Sequence, residues 1–274
     1  MRYKLIAIDL DGTLLDKREN ISELNKTVLK KVRSKGVKLA IVTGRRYHSM
    51  LKIANQLEVD SPYVCFNGGL IVDYEKNEII KNVTLDKDFA TEAFDIIADS
   101  DIPIFSYKGT LDKTNVYFKN ESNHPRVKMY LEQEGEQLFR VDNGNQVGFL
   151  PMCIKTFGYE EEVDKAYSLV KDIVPKNVQV LRTVGVNGTH YLEFFPKKAN
   201  KVFGLEYLSQ FYNIPQNDII AIGDNLNDKE MIQWAGLGVA VGNAHPDIKK
   251  VACMITENAE DSGVGKALIE IFNL

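Results

Sequence analysis

Five apolar runs limit what this chain can fold into more than any other feature: KLIAID (4–9), VKLAIVTG (37–44), PYVCFNGG (62–69), DIIAIGD (218–224) and LGVAVGNA (237–244). Each is continuous rather than alternating, and each stops in small or polar residues. An alternating strand hides one face. A strand apolar at successive positions hides both, as strands do in a parallel sheet covered by helices. Helical periods follow the runs. ISELNKTVLKKVRSKG (21–36) puts Leu24, Val28, Leu29 and Val32 on one face, with Ser22 as N-cap and Gly36 as the stop. RRYHSMLKIANQL (45–57), NDKEMIQWAG (227–236) and SGVGKALIEIF (262–272) have the same character. In NDKEMIQWAG, Trp234 falls in the apolar stripe and is expected in the core. Strand and helix in alternation predict a doubly wound α/β core with a mostly parallel, Rossmann-like sheet. Right-handed crossovers bring all strand C-termini to one edge.

The middle of the chain has a different rhythm. Helical patterns at 86–99, 122–134 and 160–173 are each followed by short strand-like pieces, among them IPIFSY, NVYFK, CIKTFGY and NVQVLRTV. DNGNQVG (142–148) reads as a turn or loop. The expectation is a core made of 1–82 and 191–274 with an α+β domain, 83–190, inserted into it.

Bulk properties exclude several classes. With 34 basic against 38 acidic residues the net charge is −4, which offers no footprint for nucleic acid or an acidic membrane. Cys65, Cys153 and Cys253 stand far apart with no CxxC spacing, against a zinc site or disulfide framework and in keeping with a reducing cytoplasm. The opening MRYKLIAIDLDG has neither a signal-peptide core nor a membrane span. Nothing in the pattern chooses between a monomer and a small homo-oligomer.

The strand ends carry the chemistry. Open α/β sheets bind ligands beyond the carboxyl ends of their strands. Here those ends bear Asp9, Asp11, Thr43, Asn67 and Asp224, with Asn227 and Asp228 within a helical turn of Asp224. Carboxylates ~4 Å apart repel by about 4 kcal/mol at an effective dielectric of ~20. Four acids in one crevice therefore call for raised pKa values or a bound cation. All-oxygen ligands suit Mg²⁺, which keeps few protein ligands alongside waters and phosphate.

DLDGT after an apolar strand, TGR after a second, a lysine preceding a helix and GDNLND after a later strand together resemble the haloacid dehalogenase-like superfamily. Order and spacing resemble its Cof-type phosphatases, which insert a large α/β cap between the second and third motifs. The ending VGNAHPDIKKVACMITENAEDSGVGKAL is similar to that group as well.

The resemblance implies the following roles. Asp9 is the nucleophile that becomes an aspartyl-phosphate. Asp11 is the general acid and then the base, and its backbone carbonyl reaches Mg²⁺. Lys201 neutralises developing charge. Phosphate contact falls to Asp9, Leu10, Thr43, Gly44, Lys201 and Asn227, and the metal to Asp9, Asp11 and Asp224. Gly12 turns the backbone toward phosphate, Asn67 and Gly68 border it, and Asp228 orients Lys201 or a metal-bound water. The resemblance also implies that the insert closes over the crevice, where Arg182, His190 and the 142–148 loop are candidates for substrate contact. Asp9 and Asp11, two apart in an extended segment, are expected to point the same way. Arg45 is read as a surface ion pair, and His48, His124, His190 and His245 as structural or exposed.

The implied activity is Mg²⁺-dependent hydrolysis of small phosphorylated metabolites such as sugar phosphates. Two alternatives stand beside it: sugar phosphomutase-type transfer, and a binding or regulatory protein on the same fold. Dehalogenation is disfavoured because Asp11 is present and a departing halide needs no proton.

Overall fold

The computed structural model of the chain describes residues 2–57, 59, 62–111, 115–132, 137–185 and 188–274. In chain order the elements begin β1 (Leu5–Ile8), α1 (Glu23–Arg33), β2 (Lys38–Ile41), α2 (Tyr47–Leu57), β3 (Tyr63–Cys65), β4 (Leu70–Asp73) and β5 (Glu78–Asn82). There follow α3 (Lys87–Ala98), β6 (Ile104–Tyr107), β7 (Asn115–Lys119), α4 (Pro125–Leu131), β8 (Gln137–Arg140), β9 (Cys153–Gly158), α5 (Glu160–Val170), β10 (Val178–Val184) and β11 (His190–Pro196). The chain ends with α6 (Lys201–Tyr212), β12 (Ile219–Gly223), α7 (Lys229–Trp234), β13 (Leu237–Ala240), α8 (Pro246–Lys249), β14 (Met254–Ile255) and α9 (Gly263–Phe272).

Two compact units result: Met1–Lys81 with Asn200–Leu274, and Asn82–Ala199. The first is built on a parallel five-stranded sheet in the order β14-β13-β12-β1-β2. From β1 the chain moves one way to β2, and from β12 the other way to β13. Right-handed crossovers therefore put α1 and α7 on opposite faces, and the strand order switches between β1 and β12. β1 is buried at every position, as its unbroken apolar run requires. Burial of Leu5, Ile6 and Ile8 contributes roughly 1.5–3 kcal/mol each. Ile8 pairs with Ile222 on one side and Ile41 on the other, so Asp9, Asp224 and Thr43 leave the sheet at one edge.

The second unit carries a six-stranded sheet, β10-β11-β9-β6-β7-β8, antiparallel except for β7 with β8. Alternation along its strands feeds two cores. Ile104, Ile154, Leu192 and Phe194 pack with α3 and α5, while Phe105, Phe118, Cys153 and Phe157 pack with Val127 and Tyr130 of α4.

Several expectations need correction. Residues 191–199 belong to the second unit rather than the core, because β11 is paired along both edges with β10 and β9. The helix expected over 122–134 starts at Pro125 and ends at Leu131, and residues 133 and 134 lie outside the described residues. Pro125 has no N–H to give a preceding turn, so it opens the helix. Trp234 is half-buried at the end of α7, whose core residues are Met231 and Ile232. Leu24 is 38% exposed, and Asn25 takes the buried place beside Val28, Leu29 and Val32. Asn25 Oδ1 accepts the Gly265 N–H at 2.8 Å, which ties α1 to the start of α9. Ser22 does cap α1, accepting from the Asn25 N–H at 3.2 Å. All three cysteines are free, and Cys253 is exposed. Among the described residues no helix is long and apolar enough to cross a membrane.

The buried Asn25 yields a stability prediction. Asn25→Ala leaves the Gly265 N–H without its acceptor, at a cost of about 2 kcal/mol. Urea denaturation should show a lower midpoint with an unchanged slope.

Candidate active site

The site begins where β1 stops. The Leu10 carbonyl accepts N–H groups from Thr13, Leu14 and Leu15 at 3.3, 3.0 and 2.9 Å, closing a tight turn around a fully buried Leu10 side chain. Gly12 makes the turn possible: its φ is +77°, and a Cβ there would meet Asp224 Oδ2 at 2.5 Å. Because the chain turns at once, Asp9 and Asp11 do not share a direction as the extended spacing predicts. Asp9 is buried, 5% exposed, whereas the Asp11 side chain is 55% exposed.

Asp9 faces a lysine brought from 192 residues away. Asn200 caps α6 by accepting the Phe203 N–H at 2.9 Å, and Lys201, the first helical residue, is buried. Its Nζ donates to Asp9 Oδ1 at 2.6 Å and to Asp228 Oδ1 at 2.5 Å. Asp228 Oδ2 accepts the N–H groups of Asp224 and Asn225, both at 3.0 Å. Both oxygens of Asp228 are thus engaged, and it fastens the loop after β12 to the lysine. Asp224 Oδ1 accepts the Thr13 hydroxyl at 2.8 Å.

Ligand atoms of Asp9, Asp224 and Asp228 lie within 4.8 Å of one another. Asp9 and Asp224 of the expected metal set stand in this carboxylate cluster together with Asp228, whereas Asp11 is expected to contribute its backbone carbonyl, which the cluster of carboxylates does not test. Burial pushes the Asp9 carboxyl up to about 7 against the pull of Lys201, with Asp228 and Asp224 adding to the rise. Burial also lifts Asp224 to about 6, against the Thr13 hydrogen bond. Burial pulls Lys201 down, but Asp9 and Asp228 outweigh it and hold the ammonium above its usual value. Three carboxylates around one ammonium leave the cluster short of positive charge. Among the described residues no hydrogen bond falls on Asp9 Oδ2 or Asp224 Oδ2. An all-oxygen, electron-rich donor set of this kind fits a hard divalent cation.

Other predicted residues take places around this centre. Thr43 is fully buried, and its Oγ1 accepts the Arg45 N–H at 3.1 Å, leaving its own proton to donate. Phe66, Asn67 and Gly68 all have left-handed φ, at 49°, 52° and 91°. For a residue as bulky as Phe66 that is uncommon. The turn is held by the Phe66 N–H to the Arg45 carbonyl and the Asn67 N–H to the Thr43 carbonyl, each at 3.0 Å. A Cβ on Gly68 would lie 2.0 Å from the Asn200 carbonyl oxygen, so the glycine lets this turn approach the cap that seats Lys201. Asn67 Oδ1 accepts from Asn227 Nδ2 at 2.9 Å, which holds the exposed Asn227. Gly44 is exposed beside Asn67.

Sequence reasoning missed three partners. Thr13 orients Asp224. Asn243 donates to the Gly12 carbonyl at 2.7 Å. Arg45 forms the ion pair expected of it, and what the sequence left open is its partners: Nε donates to Asp11 Oδ2 at 2.7 Å, and Nη2 donates to Asp11 Oδ1 and, at 2.8 Å, to Glu19 Oε1. Thr13, Asn243 and Arg45 all lie inside the DLDGT, VGNA and TGR stretches, a positional signal that does not specify their partners.

The remaining candidates belong to the second unit and are described within it. Arg182 is paired with Asp164, with its guanidinium 5.2 Å from the Tyr167 ring. His190 opens β11, opposite Gly158 and Val184. The 142–148 segment is a 3-10 turn, Gly144–Val147, lining a cavity of about 250 Å³ beside α3. His124 and His245 each accept a backbone N–H at a helix start, and His48 is exposed.

Comparison with known proteins gives a consistent result. The family model for haloacid dehalogenase-like hydrolases matches residues 6–268. The 5-amino-6-(5-phospho-D-ribitylamino)uracil phosphatase YitU of Bacillus subtilis (strain 168) is 29% identical over 98% of both chains. Phosphatase YwpJ of the same organism is 28% identical, covering 95% of this chain and 97% of its own. The crystal structure of a haloacid dehalogenase-like hydrolase from Bacteroides thetaiotaomicron superimposes with a TM-score of 0.82 at 27% identity, over 98% of this chain and 99% of that one.

The raised carboxyls make a signed prediction. Asp9 and Asp224 titrate above the ordinary 3.8, so the folded protein holds protons that the unfolded chain has already released. Stability of the metal-free protein should therefore fall from about pH 5 to about pH 8 as they ionise. Thermal melts should show this fall, with a flatter profile for Asp224→Asn. A divalent cation should raise the melting point more at the upper pH than at the lower.

Proposed function

Since the chain belongs to the haloacid dehalogenase-like hydrolases, in their Cof-type branch, and is a phosphoric monoester hydrolase, we propose that it is a Mg²⁺-dependent phosphatase of small phosphorylated metabolites, sugar phosphates or similar, acting through an aspartyl-phosphate on Asp9. The observation that carries this reading is the convergence of buried Asp9, Lys201 and Asp228 with half-buried Asp224, drawn from distant parts of the chain, in one cluster.

Asp9 attacks phosphorus, and the bond from phosphorus to the ester oxygen breaks. Asp11 gives its proton to that oxygen, so the product leaves as an alcohol rather than an alkoxide. In the second half-reaction Asp11 takes a proton from water as the water oxygen attacks phosphorus. The Asp9–phosphorus bond then breaks, releasing inorganic phosphate and restoring both carboxyls. Thr43, Asn227 and the backbone amides near Leu10 and Gly44 bind the phosphoryl oxygens. Lys201, already bonded to Asp9, offsets the charge that gathers there. The carboxylates of Asp9 and Asp224, with the Asp11 carbonyl, would hold Mg²⁺, whose positive charge lets an anionic nucleophile meet an anionic phosphoryl group.

The substrate class draws support from YitU, whose name gives it a phosphorylated ribitylamino compound as substrate. A cytoplasmic setting belongs to the same reading, supported by three free cysteines.

Two outcomes test the proposal. Asp9→Asn should reduce release of inorganic phosphate from an aryl phosphate to background, and appreciable residual turnover would sink the assignment. Removal of divalent cations by a chelator should silence the enzyme, and Mg²⁺ should restore it. Indifference to the chelator would remove the metal from the account. Assaying free phosphate against isomerised sugar phosphate separates hydrolysis from mutase-type transfer.

A further inference from the structure

The Asp11 carboxylate is exposed yet held at both oxygens, by Nε and Nη2 of Arg45. The guanidinium is itself fixed at its root. Arg45 gives its N–H to Thr43 Oγ1 at 3.1 Å, and its carbonyl accepts the Phe66 N–H at 3.0 Å. Its side chain is only 16% exposed. On its far side, Nη2 also donates to Glu19 Oε1 at 2.8 Å.

Glu19 reaches that position from a strained turn. Its φ is +60°, in the left-handed region, a conformation that is unfavourable for a non-glycine residue. The turn is maintained by the Glu19 N–H to the Asp16 carbonyl at 2.9 Å, and by Asp16 Oδ1 accepting the Arg18 and Asn20 N–H groups at 2.8 Å. Exposed ion pairs contribute little to stability. The cluster is therefore better explained by what it orients than by what it stabilises.

We propose that Arg45, steadied by Glu19, is the positioning residue for Asp11: its two-pronged contact fixes the rotation of the carboxyl that exchanges protons with the leaving alcohol and the attacking water. This rests on the reading of Asp11 as acid and base. The planar fork, not the positive charge alone, does the orienting, so lysine is a poor substitute. The effect falls on the proton-transfer steps. Ester cleavage with a good leaving group needs little help from a proton and is spared. Cleavage with a poor leaving group, and hydrolysis of the phosphoenzyme, are not.

The test compares 4-nitrophenyl phosphate with phenyl phosphate in rapid-mixing and steady-state assays. The variants are Arg45→Lys, Glu19→Gln, Asp11→Asn and the Arg45→Lys/Asp11→Asn double variant. In Arg45→Lys the burst of 4-nitrophenol should keep its rate within ~3-fold, with the substrate concentration that gives half the maximal burst rate unchanged. Phenol release and the steady-state rate that follows the burst should fall ~10-fold or more, the scale on which misplacement of a catalytic group acts. Glu19→Gln, an exposed substitution that leaves the core intact, should shift the same two rates in the same direction by a smaller factor. The double variant should be no slower than Asp11→Asn. Equal losses in the 4-nitrophenol burst rate and in phenol release in Arg45→Lys, or a raised KM with kcat intact, would overturn the proposal, as would further slowing in the double variant. If Asp11→Asn itself fails to discriminate between the esters, the acid/base reading of Asp11 is what fails. If it discriminates and neither Arg45→Lys nor Glu19→Gln does, only the positioning role is lost.

Discussion

The ammonium of Lys201 sits out of contact with water between Asp9 and Asp228, and the rest of the core unit is arranged around that fact. A buried charge costs several kcal/mol in lost hydration and is tolerated only when it is paired and hydrogen-bonded. Here the partners come from two different strand ends, so the triad fastens the turn after β1, the start of α6 and the loop after β12 to one another. Removing the lysine leaves two carboxylates facing each other in the interior with no cation between them. Burial above all, with the neighbouring carboxylates adding to it, raises the Asp9 and Asp224 carboxyls, and the net deficit of positive charge makes the cluster receptive to a cation.

The backbone around the triad is shaped to permit it. The turn on the Leu10 carbonyl sends Asp9 inward and Asp11 outward, so two carboxyls two residues apart meet opposite surroundings. One is dry, beside a lysine and two other acids. The other is wet and held by an arginine. A nucleophile gains from a fixed and desolvated position, whereas a proton-transfer group has to reach both water and the leaving group. The left-handed sequence Phe66–Asn67–Gly68 serves the same centre from the third strand end, bracing the Thr43–Arg45 loop by backbone hydrogen bonds and admitting the α6 cap.

Much of this was legible in the chain, and the reasons differ by residue. The apolar runs announced β1, β2, β12 and β13 because burial on both faces leaves a local mark that needs no partner to be seen. Ser22 was readable as a cap for the same reason: its acceptor role concerns a residue three positions on. Asn25 was not readable. A polar residue beside an apolar stripe looks like its solvent-facing edge, and only the Gly265 N–H, brought up by the packing of α9, makes its burial favourable. The end of the inserted unit was misplaced at 190 because β11 is distinguished from a core strand only by the strands on either side of it.

By itself the sequence determined the parallel α/β core, the strand ends at which acids emerge, and the residue types at the site, because hydrophobic periodicity and short motifs are properties of neighbouring residues. Only the tertiary structure decided that Asp228 joins Asp9 and Asp224 in the carboxylate cluster, that Thr13 holds Asp224, and that Arg45 faces Asp11 and Glu19. Those choices depend on angstrom-scale approaches between segments as far apart in the chain as Asp9 and Asp228, and such distances are set by how strands register and turns close rather than by any local pattern.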